Sequence, residues 1–271
     1  MSKNWIFLSK DGKDEYVNMF ANGCQEKITS TNNFIYEDSQ DPIVLRGILK
    51  HKIMKKCWID NRDFYYIDTG YFGNERTHKN PNGWKYWHRI VKNDLQHTEI
   101  IKRPSARFES FGKKFSPWKK TGRKILVAIP DEKPCKFYGI ELEDWLERTI
   151  STIKKYTDRP VEVRKRSPKR IDRIATDTLE NALDNDVFAL VTFNSVAAIE
   201  SIFYGIPVFT LAPANAASPV SQQDLSRIES PYYPSMDKLY EWGCHLAHGQ
   251  FHISELKNGK AKRYLEEWYG D

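Results

Sequence analysis

Between Lys124 and Ala212 the chain alternates apolar strand-like runs with amphipathic helical stretches, a spacing that points to a parallel sheet covered on both faces. KILVAIP (Lys124–Pro130), RPVEVRKR (Arg159–Arg166), DVFALVTF (Asp186–Phe193) and IPVFTLA (Ile206–Ala212) supply the strands. Parallel neighbours need a crossover, and the intervening segments have helical periodicity. ELEDWLERTISTIKKY (Glu141–Tyr156) puts Leu142, Trp145, Leu146 and Ile150 on one face. IDRIATDTLENAL (Ile171–Leu183) and SVAAIESIFYG (Ser195–Gly205) follow the same pattern. The prediction is an α/β, Rossmann-like domain, with two further helices over Ser235–Trp268.

At 271 residues the chain is long enough for two domains. The first part reads as a smaller, irregular α/β domain. Strands are expected at Trp5–Leu8, Phe34–Glu37 and Phe64–Gly73, with a helix near Glu15–Ala21. PIVLRGILKHKIMKKC (Pro42–Cys57) has helical spacing behind Asp41 as cap, and Lys85–Gln96 reads as a strand or a short helix. Residues 102–124 are rich in Lys, Arg, Ser, Pro and Gly, as a linker would be. The expected domains are therefore 1–118 and 119–271.

Composition narrows the function class. Hydrophobic residues make up 40% and aromatic residues 13%, which excludes a disordered chain, and the net charge of +6 suits a nucleotide or polyanionic ligand. The four cysteines are scattered, with no CxxC pair, so free thiols are expected. The start of the chain has too short an apolar stretch for a signal segment, and no run reaches the roughly 18 apolar residues of a membrane span. A soluble, cytoplasmic protein is expected.

In an open parallel sheet, ligands gather at the carboxyl ends of the strands, beside helix N-termini. Asn194 and Ser195 occupy that place, where unpaired N–H groups favour phosphate; both are also ordinary helix-capping residues. Arg164 and Arg166 end an earlier strand on one face, either gripping phosphate or forming part of a solvated charge run. Asp68 ends the aromatic strand FYYIDTGYFG, which makes it either a candidate base or an Asx-turn residue. His245, His248 and His252 lack an acid that would complete a metal-binding spacing, and packing or surface roles are expected for them.

The stretch TFNSVAAIESIFYGIPVF, with its N-S pair, helical acid and G-x-P-V, resembles the donor-side motif of GT-B-type glycosyltransferases. It is most similar to the capsule Kdo-transferase and polysialyltransferase-like group, and LAHGQFHISELKNGKA resembles the tails of phage-encoded glycosyltransferase-like proteins. The resemblance implies a GT-B-like fold and a nucleotide-sugar donor, a UDP-sugar by preference, with no cofactor and no catalytic metal. Asn194 and Ser195 would contact the diphosphate, Arg164 and Arg166 would neutralise it, and Glu200 would accept from ribose hydroxyls. The N-terminal domain would face the acceptor, with Asp68 as base and His88 and Arg89 as the next catalytic candidates.

The acceptor reading rests on basic and aromatic residues interleaved over two segments. Lys113, Lys114 and Trp118, with Phe108, Phe111 and Phe115 nearby, lie in one, and Trp84 lies in the other. Lysines follow a phosphate backbone and rings stack on exposed bases. With the phage-like resemblance and no expected membrane-targeting segment, the resemblance implies hydroxymethylated pyrimidine in phage DNA as the acceptor, with the host cytoplasm as its location. The alternatives are a capsule or surface-glycan acceptor and a non-catalytic nucleotide- or nucleic-acid-binding protein.

Overall fold

The structure is a computed structural model, and it describes residues 4–48, 51–74, 82–165 and 178–270. Two compact units result. The first combines Met1–Arg76, Asn82–Leu95 and Gly249–Asp271, and the second is built on Gln96–His248. The division thus falls at Leu95/Gln96 and again at His248/Gly249, rather than at 118/119.

Unit 1 contains β1 (Ile6–Ser9), α1 (Glu15–Gly23), β2 (Ile28–Ser30), β3 (Ile43–Arg46), α2 (His51–Ile59), β4 (Phe64–Thr69) and β5 (Trp87–Lys92). In unit 2, α3 (Ala106–Glu109) precedes β6 (Lys124–Ala128), α4 (Glu132–Phe137), α5 (Leu142–Ile153) and β7 (Val161–Arg164). There follow α6 (Leu179–Leu183), β8 (Val187–Thr192), α7 (Ala197–Phe203), β9 (Val208–Thr210) and α8 (Met236–His248). The chain then re-enters unit 1 as β10 (Gln250–His252), α9 (Ile253–Lys257) and α10 (Lys260–Tyr269).

The sheet of unit 1 has six strands in the order β10-β5-β4-β3-β1-β2. Its β2-β1-β3-β4 part is parallel, and β5 and β10 pair antiparallel beyond it. The core joins both ends of the sequence: Phe7, Val17, Phe20, Val44, Tyr65 and Ile67 pack with Phe251, Leu256 and Leu265. Unit 2 has the fully parallel order β7-β6-β8-β9, with Ile125, Val127, Val191 and Phe209 buried against Trp145 and Ile153 of α5.

In both units the order reverses once. The chain leaves β1 for β2 and crosses back to β3; it leaves β6 for β7 and crosses back to β8. The turns after β1 and β3, and those after β6 and β8, therefore diverge and open a crevice at the carboxyl edge of each sheet, which is the ligand position in such folds.

Several expectations from the sequence need correction. Residues 42–57 are not one helix. Ile43, Val44 and Leu45 form a buried strand, Gly47 at φ +79 turns the chain out of it, and α2 is described over His51–Ile59. The expected strand at Phe34–Glu37 is replaced by a 3-10 turn at Tyr36–Asp38, and β2 stands in its place in the sheet. Lys85–Gln96 resolves to the strand β5. Residues 102–124 are not a free linker: Phe115 stacks on Phe203 at 4.5 Å, and the Ser116 and Lys119 N–H groups donate to Phe203 and Gly205. Of the helix expected at 171–183, α6 is the described part; residues 166–177 lie outside the described residues.

Candidate functional site

Unit 2 places Asn194 and Ser195 just beyond β8, at the reversal between β6 and β8. The first turn of α7 follows, and Ser195 Oγ accepts the Ala197 N–H at 3.2 Å, so part of the capping role is realised. The Ser195 hydroxyl proton remains a donor. Asn194 is different. It is only 6% exposed, and among the described residues its side-chain amide has no hydrogen-bond partner. The amide nitrogen and oxygen keep access to solvent at the crevice, so they can offer a donor and an acceptor to a group placed there.

Asn194's main chain, by contrast, is held fast. Gln96 Nε2 donates to the Asn194 carbonyl at 2.6 Å, and Gln96 Oε1 accepts the Ala216 N–H at 2.9 Å. Ala216 lies in the exit loop of β9, where Trp242 Nε1 donates to its carbonyl at 2.6 Å and Asn215 Oδ1 accepts the Ala217 N–H at 2.8 Å. Residues 214–217 are fully buried, so this loop forms packed floor beside the crevice.

Arg164 ends β7, in register with Ala128, which is itself in register with Thr192. Strand spacing therefore puts the Arg164 and Thr192 Cα atoms about 10 Å apart along the edge, within reach of an extended guanidinium. Glu200 is exposed in the first turn of α7. Arg166 lies outside the described residues.

The equivalent crevice in unit 1 is already charged from within. Asp14 caps α1, accepting the Tyr16 and Val17 N–H groups at 3.2 Å, and pairs with Arg46 at 3.6 Å. An internal carboxylate thus occupies the helix terminus that would attract a ligand phosphate, whereas no carboxylate caps α7.

Asp68, His88 and Arg89 come together where β4 and β5 pair, Asp68 opposite Arg89 and Thr69 opposite His88. Arg89 is 6% exposed, and each of its guanidinium nitrogens makes a hydrogen bond. It donates to Asp68 Oδ2 at 2.8 Å, to the Thr69 carbonyl at 2.6 Å and to the Leu95 carbonyl at 3.2 Å. Asp68 also accepts from the Tyr66 hydroxyl and the Thr69 N–H. Burial pushes its carboxyl up, but Arg89, Thr69 and Tyr66 outweigh that and hold it below the ordinary aspartate range. The Asp68 side chain is 37% exposed and open to a ligand.

His88 has no exposed surface. Its Nε2 donates to the Lys85 carbonyl at 3.1 Å, its ring lies 3.9 Å from that of Tyr16, and burial lowers its pKa to about 4. Of the three catalytic candidates, only Asp68 therefore presents a reactive atom; His88 and Arg89 support the edge from below.

The loop after Asp68 has a support that the sequence did not reveal. Gln250, wholly buried in β10, accepts the Tyr71 and Phe72 N–H groups at 2.5 and 2.9 Å and donates to the Phe72 carbonyl at 3.1 Å.

The basic-aromatic segments are taken up largely by packing. Phe108 and Phe115 pack on Phe203, and Trp118 packs against Tyr233 and donates to the Pro234 carbonyl. Trp118 also lines a cavity of about 360 Å³ with Val187, the first residue of β8, at the sheet edge opposite Asn194. Lys114 is exposed and Lys113 half-buried in the same segment, near the carboxyl end of α7. Trp84 belongs to unit 1, with the Lys85 ammonium 5.7 Å from its ring.

His245 accepts the Ile101 N–H, His248 donates to the Pro104 carbonyl, and His252 caps α9. Among the described residues, no group of three or more His, Cys, Asp or Glu side chains is placed to hold a metal ion, and no helix is long and apolar enough to cross a membrane.

No protein-family model and no curated protein sequence matches this chain. Among solved structures it is similar to the beta Kdo 2,4 transferase of Thermosulfurimonas dismutans KpsC, with a TM-score of 0.50 at 10% identity, over 95% of this chain and 98% of that one. The beta Kdo 2,7 transferase of the same KpsC aligns with a TM-score of 0.42 at 8% identity, over 96% and 99%. The likeness is one of fold, a mixed α/β, GT-B-like architecture carried through nearly the whole length of both chains.

Proposed function

We propose that the protein is a glycosyltransferase that binds a nucleotide-sugar donor at the carboxyl edge of unit 2. The observation that carries this reading is Asn194, 6% exposed at the strand-order reversal, whose side-chain amide has no hydrogen-bond partner among the described residues. Ser195 and the first-turn N–H groups of α7 lie beside it, and Arg164 supplies positive charge along the edge. The structurally similar KpsC domain is described as a Kdo transferase, which supports sugar transfer as the reaction class.

In that reaction the bond from the anomeric carbon to the donor phosphate oxygen breaks, and an acceptor hydroxyl forms the new glycosidic bond. Arg164 and the Asn194–Ser195 edge stabilise the departing nucleoside phosphate. The acceptor proton needs a base, and for that role we propose Asp68 of unit 1, ionised at neutral pH. Arg89 keeps it ionised and oriented.

As acceptor we favour a glycan hydroxyl over a hydroxymethylated pyrimidine in DNA. Stacking on bases needs free aromatic faces, and Phe108 and Phe115 spend theirs in unit 2.

The test is calorimetric titration of the full chain with UDP, GDP and CMP, followed by assay of nucleoside phosphate release from the matching sugars. Saturable binding of one nucleotide and its release on transfer are expected. Failure to bind any of the three, with no release from any donor, would overturn the reading.

A further inference from the structure

We infer that Gln96 is a positioning residue for the ligand of the unit 2 crevice, fixing Asn194 through its main chain so that the side-chain amide of that residue points one way. This rests on the reading of that crevice as the nucleotide site.

Gln96 is 3% exposed, and both ends of its amide are spent on main chain. It donates to the carbonyl of Asn194, 98 residues away, and accepts from the N–H of Ala216, 120 residues away. One side chain therefore bridges the exit loops of two neighbouring strands, β8 and β9. The Ala216 end is anchored a second time by Trp242, which is wholly buried and donates to the carbonyl of the same residue. Asn215 adds a weaker tie, its Nδ2 standing 3.5 Å from the Ser195 carbonyl. Peptide planes at Asn194 and Ala216 are thus held against a packed floor, whereas the Asn194 side chain makes no hydrogen bond among the described residues.

An amide that must meet a ligand without reorganising needs its backbone set in advance, because a small misplacement costs binding and turnover more than it costs the fold. In this frame Gln96 sets the angle and Asn194 makes the contact. Glycosyl transfer would feel the loss of Gln96 as weaker nucleotide binding, although Gln96 touches no ligand.

Two variants separate this from a merely structural role. Gln96→Leu removes both hydrogen bonds at similar volume. Gln96→Glu keeps an acceptor for Ala216 and loses the donor to Asn194. Both would be measured in the full chain, well below their melting temperatures, by titration with the UDP, GDP and CMP used above. Both are expected to raise the Kd about tenfold for the nucleotide that binds, with Gln96→Glu no better than Gln96→Leu, since both lose the bond to Asn194.

The side-chain amide resonance of Asn194, read by NMR without ligand, is expected to shift or broaden in both variants. An unchanged Kd, or an unchanged Asn194 resonance, overturns the inference. If the unaltered protein binds none of the nucleotides, the proposed function falls, and the Asn194 resonance alone decides whether Gln96 orients it.

Discussion

Asp68 and Arg89 face each other across the β4–β5 ladder with 2.8 Å between carboxylate and guanidinium, and each of the three guanidinium nitrogens of Arg89 donates to a partner within unit 1. The pair is unequal. Arg89 is buried and serves the protein; Asp68 is partly exposed and offers its remaining oxygen surface outward.

That asymmetry predicts different outcomes for the two partners. Asp68→Asn leaves the buried Arg89 charge without its counter-charge, so it should lose about 1–3 kcal/mol of stability. With the proposed base gone, transfer should fall at least about 100-fold in kcat while nucleotide affinity is unchanged. Arg89→Met should lose about 3 kcal/mol, because it leaves Asp68 and two carbonyls without their donor, and should also leave nucleotide affinity unchanged. Denaturant melts and single-turnover assays on the two variants would check this, and near-normal transfer in folded Asp68→Asn would contradict it.

Asn194→Ala should be nearly silent for the fold. Its amide makes no hydrogen bond among the described residues, so stability should change by less than about 1 kcal/mol while nucleotide affinity falls about tenfold. A large stability loss would show that the amide serves the fold.

His88 and His245 both titrate near 4 because burial disfavours their charged forms; Arg103 and His248 add to the effect at His245. Each has a folded pKa below its unfolded value near 6.5, so the unfolded chain takes up protons first as pH falls. The stability they contribute is complete above 6.5 and is lost between there and 4, roughly 2–4 kcal/mol for each by the lower limit. Melting curves from pH 7.5 to 4.5 should show the decline, and replacing His88 by Phe should flatten it.

Gln250→Leu should loosen the loop after β4 selectively. The amides of Tyr71 and Phe72 lose their acceptor, so their hydrogen exchange should accelerate at least about tenfold while the β4 amides keep their protection. Equal acceleration throughout the sheet would mean a general loss of stability instead.

Unit 2 was legible in the sequence because its strands are short, buried and separated by helices with clear periodicity; Asn194 and Ser195 could be placed at a strand end on that basis alone. Unit 1 was less so. Ile43–Leu45 looks the same as the first turn of a helix when Ile48 and Met54 continue the spacing, and only pairing with β1 and β4 settles it as a strand. A three-residue strand such as β10 carries no pattern of its own. Gln96 and Gln250 were invisible for a deeper reason: a buried glutamine reads as a surface residue until its partners are known, and those of Gln250 lie 178 and 179 residues away.

The return of Gly249–Asp271 to unit 1 has a consequence for how the protein is made. A ribosome releases the chain from its first residue, so every strand of unit 2 emerges before unit 1 can finish its sheet. Until the last segment is released, nascent unit 1 lacks β10 along one side of β5, and Phe251, Leu256 and Leu265 are missing from its core. An unpaired strand edge beside an unfilled core invites pairing with other chains. The earlier-made unit is thus the later one to fold, and stalled or prematurely ended translation near residue 248 should yield aggregates rather than a shortened soluble protein.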